Sequence, residues 1–85
     1  MLDEDPDTIE YILKHDKGPY TLFAMRARDV DEVDGEDHYE KEKSIEQKIV
    51  FGHDVMRTLA EMEQRHPGCV VFMVNRVSEE EYRIN

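Results

Sequence analysis

Residues 29–40, DVDEVDGEDHYE, hold seven carboxylates, one histidine and one glycine, with no lysine or arginine among them. Calcium is the first chemistry such a run could do. An EF-hand loop places oxygen ligands at its first, third and fifth positions, glycine at the sixth and glutamate at the twelfth. With Gly35 as the sixth residue, Val30 falls on the first position and Lys41 on the twelfth. Starting instead at Asp29 puts Val33 on the fifth and Asp34 where glycine belongs. Both registers fail, so no dedicated calcium site is expected.

Zinc and nucleophilic chemistry find little more. His15, His38, His53 and His66 are scattered, without a paired Cys or His at ligand spacing. Cys69 is the single cysteine. His66 stands three residues before it, but Cys69 opens an apolar strand beyond a turn, where a cysteine usually serves as a small buried hydrophobe. One cysteine also makes no internal disulfide, which fits a reducing compartment. No GxSxG motif or phosphate-cradling glycine run is present. Paired carboxylates could serve acid–base work, yet their abundance lowers the information in each. The expectation is a non-enzymatic protein with no metal and no cofactor.

What remains is charge. The chain has 21 acidic residues against 11 Lys and Arg, a formal net charge of −10 over 85 residues. Direct nucleic-acid binding is disfavoured, because phosphate contacts need clustered Lys and Arg. An anionic membrane surface is disfavoured for the same reason. A basic partner is the natural complement. Sixteen of the acids fall in three clusters, at residues 3–10, 29–42 and 79–81.

The 29–42 cluster invites comparison with a nucleic-acid backbone. Folded as a hairpin, its arms of about seven residues would each reach roughly 24 Å. Its eight acids less Lys41 leave −7. That is about one charge per 3.4 Å, the linear density of one DNA strand. The expected partner is therefore a basic, nucleic-acid-handling protein, engaged by Asp29, Asp31, Glu32, Asp34, Glu36, Asp37, Glu40 and Glu42, with Tyr39 as an aromatic anchor. Asp3, Asp5 and Asp7 are secondary contacts. In acidity and size the chain resembles the small inhibitors by which phages block host nucleases, polymerases or restriction systems, which would make it an inhibitor acting as a nucleic-acid mimic. The competing reading is a solvated face that keeps a small sheet from aggregating.

The length and pattern suit one α+β domain spanning residues 1–85. The start, MLDEDPDTIE, lacks the basic end and apolar stretch of a signal peptide, and no run approaches a membrane span, so a cytoplasmic protein is expected. The runs TLFAM and VVFMV exclude a disordered tail. Asp7 or Thr8 caps a first helix that carries Ile9, Ile12 and Leu13 and stops at Gly18-Pro19. Tyr20 to Val30 alternates as a strand. Asp34-Gly35 marks a two-residue hairpin turn, with the return starting near His38.

Residues 45–51 read as a second strand, although Ser44 and Gln47 would also cap a helix over 44–66. Gly52 inside that helix would cost about 1 kcal/mol. Asp54 caps a helix over 54–66 with Val55, Leu59 and Met62 on its stripe, and Cys69–Val77 is the most apolar strand. The tail SEEEYRIN either extends that strand or hangs free. The order is α-β-β-α-β: a three-stranded sheet with two helices. Val70, Phe72 and Val74 are expected to face helix 54–66. Val71 and Met73 would then need the first helix or a second copy of the chain to cover them. That gives the alternative role, an accessory subunit that assembles, as a homodimer for example, through an apolar sheet face.

Overall fold

The computed structural model describes residues 9–85. The expected cap at Asp7 or Thr8 and the contacts at Asp3, Asp5 and Asp7 lie outside them. Two α-helices, α1 (Ile9–His15) and α2 (Gly52–Arg65), accompany six strands: β1 (Tyr20–Met25), β2 (Asp31–Val33), β3 (Glu36–His38), β4 (Glu46–Val50), β5 (Val70–Asn75) and β6 (Glu81–Arg83). The class is α+β, as expected. The sheet is not three-stranded: a four-stranded sheet of order β4-β1-β5-β6 stands beside the separate β2-β3 ribbon.

Two local events make the difference. The expected strand over 20–30 ends at Met25, where a 3-10 turn (Ala27–Asp29) breaks the ladder. The chain then pairs with itself, Asp31 with His38 and Val33 with Glu36, before a second 3-10 turn at Lys41–Lys43 returns it to the sheet. At the other end the tail does not extend β5. The Asn75 side chain accepts hydrogen bonds from the Val77 and Ser78 N–H groups at 2.7 and 2.9 Å, and Glu79 takes a φ of +66°. The resulting turn lays β6 antiparallel on β5.

Residues 46–50 are a strand, not part of a long helix. Strand β4 pairs antiparallel with β1, Tyr20 opposite Val50 and Ala24 opposite Glu46. Strand β1 is also antiparallel to β5, so β4 and β5 run parallel with β1 between them, and α2 makes the crossover. The β-branched and aromatic run Ile49-Val50-Phe51 favours the strand. Gly52 then opens α2 two residues before the expected start, with Asp54 in the first turn instead of at the cap. A Cβ at Gly52 would lie 3.3 Å from the Lys17 Cα, while the Gly52 N–H donates to the Lys17 carbonyl at 2.8 Å. Val50 and Val55, before and after the first turn, share one apolar cluster in the manner of a hydrophobic staple.

The two sheet faces are assigned opposite to the expectation. Leu22, Ala24, Val71 and Met73 lie beneath the helices, with Val55, Leu59 and Met62 of α2 and Ile9, Ile12 and Leu13 of α1. Phe23, Met25, Val70 and Phe72 form the other cluster, covered by Val30, Tyr39 and Val74. Strand β5 is apolar on both faces, so its pattern cannot tell them apart, and a shift of one residue exchanges them. Val71 and Met73 are 0 % exposed, so they offer no surface for a second copy.

Candidate functional site

The acidic segment lies against the second sheet face as a strap, with β2 and β3 as its outer ribbon. Asp34 and Gly35 have φ of +54° and +79°, positive at both turn positions as a type I′ turn requires. Pairing sets Glu32 opposite Asp37 and Asp31 opposite His38. Each strand has three residues, so the ribbon spans about 10 Å, not the roughly 24 Å expected.

Tyr39 fastens the strap. Its ring stacks on Phe72 with centroids 3.9 Å apart and planes 11° from parallel, and its hydroxyl donates to Glu81 Oε1 at 2.5 Å. Burial, then the Glu81 carboxylate, pushes its phenol well above the ordinary value. Lys41 Nζ sits 5.7 Å from the Phe23 ring centroid and 3.6 Å from Glu81 Oε2. Arg83 reaches Asp37 at 3.7 Å. Tyr39 is thus a half-buried internal anchor, and its ring is already stacked within the chain.

The structure sorts the eight acids into two groups. Asp29 pairs with Arg26 at 3.9 Å, Asp37 with Arg83, and Glu40 with Lys43 at 3.7 Å. Asp31, Glu32, Asp34, Glu36 and Glu42 are exposed, and no cation pairs with them among the described residues. Four of these five sit on the ribbon or its turn. The unneutralised ribbon acids number about one per 2.5 Å, between the roughly 3.4 Å of a single DNA strand and the 1.7 Å of a duplex. Like charges opposite one another, as at Glu32 and Asp37, oppose pairing. The Arg83 contact and the turn offset that repulsion.

Away from the strap, Cys69, His66, Glu46 and Tyr82 are each buried or bonded within the chain. Cys69 is 8 % exposed in the helix-side core, and burial raises its thiol pKa. His66 Nε2 lies 3.0 Å from Glu46 Oε1, and Arg65 Nη2 holds Glu46 Oε2 at 2.5 Å. The Arg65 hydrogen bond is the main reason the Glu46 carboxyl is held below its usual value. Tyr82, partly buried and bonded to Glu80, is pushed up to about 12. Among the described residues no three His, Cys, Asp or Glu side chains converge to hold a metal ion. None of the described helices is long and apolar enough to cross a membrane.

Sequence reasoning missed Glu81 and Arg83 as the residues that hold the strap. They lie more than 40 positions from Tyr39 and Asp37, and only the folding back of β6 brings them near. No protein-family model matches the chain, nor does any curated protein or solved structure.

Proposed function

We propose that the protein is a non-enzymatic binding module that engages the basic surface of a nucleic-acid-handling protein through the β2-β3 ribbon, presenting carboxylates where a phosphate backbone would lie. One observation carries this reading: among the described residues Asp31, Glu32, Asp34 and Glu36, none of them paired with a cation, stand together on a single ribbon, while Asp29, Asp37 and Glu40 beside them are neutralised. A solvated, aggregation-resistant face would need no such sorting. The ribbon stands on a stacked aromatic and so offers its charges on a fixed base, which limits the entropy lost on binding. Inhibition by occupying a nucleic-acid cleft is the expected consequence, in a cytoplasmic setting.

The test begins with capture of a partner from a lysate at low salt. The captured protein is then loaded with a labelled duplex or single strand and titrated with this protein. Displacement of the nucleic acid supports mimicry. A captured protein that holds both ligands at once overturns it.

A further inference from the structure

Among the described residues the outer edge of β4 is unpaired, and the hydrogen-bond ladder shows which groups it presents. Arg76 N–H donates to the Pro19 carbonyl at 2.9 Å, so Pro19 and every second residue after it turn their backbone toward β5. Tyr20, Leu22 and Ala24 turn toward β4 and engage Val50, Lys48 and Glu46. Gln47 and Ile49 must then aim their N–H and C=O groups outward. Among the described residues no strand pairs with that edge. Beside it stand two large apolar side chains, Ile49 at 58 % and Phe51 at 54 % exposure. The opposite edge, β6, has only three residues, and Glu81 and Arg83 are engaged by the strap. Among the described residues one edge of the sheet is covered, and the other is left both apolar and unpaired.

We propose that this edge is a homodimer interface: β4 of a second copy pairs antiparallel with it, about a two-fold axis normal to the sheet at Ile49. In this register Ile49 lies opposite Ile49 of the second copy, Gln47 opposite Phe51, and Lys48 opposite Val50. The outward groups of Gln47 and Ile49 gain partners, and the exposed Ile49 and Phe51 side chains are covered. Such an interface is isologous and closes on itself.

Each copy carries −10. The ribbon that carries most of the unpaired acids, however, is tied at Tyr39 to Phe72 of β5 and at Asp37 to Arg83 of β6, and these strands lie five and seven strand spacings from their equivalents across the axis. At about 4.8 Å per spacing that is roughly 24–34 Å, beyond the Debye length of about 8 Å at physiological salt. The paired edge itself carries Glu46 and Lys48, which cancel. Lys48 is a typical edge guard, yet in this register it meets Val50 and not its own copy, and its ammonium stays at the rim.

Because the axis is normal to the sheet, the two four-stranded sheets become one of eight strands. The helices of both copies cover one face and both acidic ribbons stand on the other. This proposal does not depend on the partner-binding reading.

Cysteine cross-linking tests both the interface and its register. Residues in a hydrogen-bonded antiparallel pair have Cα atoms about 5.5 Å apart, within disulfide reach. Under mild oxidation Ile49→Cys should form a covalent dimer at least about tenfold faster than Gln47→Cys, and faster than the wild type, whose one thiol is buried. Sedimentation should find a dimer for the wild type and a monomer for Ile49→Lys, with unchanged circular dichroism. A monomeric wild type at high concentration, or Ile49→Cys cross-linking no faster than the wild type, would overturn the interface. Faster linking of Gln47→Cys would overturn the register.

Discussion

On the helix side of β1 and β5, Leu22, Ala24, Val71 and Met73 are all 0 % exposed beneath the apolar stripe of α2. On the other side Phe23 and Phe72 are covered by a strap that contributes one stacked ring, a valine and a set of solvent-exposed ion pairs. Apolar contact is continuous on the first side. On the second it narrows to Tyr39, and the remaining tethers are charge pairs of a kind that contributes about 0–1 kcal/mol each. The difference separates two tasks. The helix side supplies the stability of a small domain. The strap side keeps enough cover to seal the sheet while leaving its outer carboxylates free.

The largest expected effect is on the helix side. Met73→Ala should cost about 2–5 kcal/mol, because the surrounding strands and α2 cannot collapse into the space. Urea unfolding should then show loss of the whole fold in one transition. Tyr39→Ala should cost less, about 2 kcal/mol, since the ring is only half-buried. Hydrogen exchange should speed in β2 and β3 while β1 and β5 keep their protection. Equal loss of protection in both regions would contradict the separation.

Gly35→Ala should cost about 1 kcal/mol, all of it conformational, because a Cβ there meets nothing within 4 Å while φ is +79°. Its effect should be confined to the ribbon by the same exchange measurement. Glu32→Gln should have the smallest effect and the opposite sign, stabilising by a few tenths of a kcal/mol as the repulsion with Asp37 falls.

Acid and alkali should also act on different contacts. The Tyr39 phenol is raised in the folded state, so its contribution is complete below its ordinary value near 10 and is lost as pH rises above that value. Tyr39→Phe should remove this alkaline loss from a series of unfolding curves. The Glu46 carboxyl is lowered, so its contribution is present above the ordinary value of 4.5 and is lost as pH falls. Glu46→Gln should flatten the acid side only.

Much of the frame was legible because local chemistry declares it. Asp34-Gly35 announces a turn with two positive φ angles, and the structure has it. Strand β4 reads correctly from Ile49-Val50-Phe51 despite the capping pattern at Ser44. Elsewhere the deciding contacts are distant. The break after Met25 follows from a strap that must cross the sheet, and β6 forms because Asn75 organises a turn whose residues look like a plain charged tail. The faces of β5 were unreadable, since Val-Val-Phe-Met-Val is apolar at every position. At the site, the acids were visible as a cluster. Which of them are spent on internal partners depends on Arg26, Lys43 and Arg83, the last of which the sequence places 46 residues from Asp37.

The most direct test of the central claim is the salt dependence of binding to the captured partner. It compares the wild type with a variant in which Asp31, Glu32, Asp34 and Glu36 are replaced by Asn or Gln. Affinity for the wild type should fall steeply as salt rises, and the variant should bind more weakly at low salt with a shallower slope. Unchanged affinity and slope in the variant would contradict the account, because the partner would then be reading some other surface.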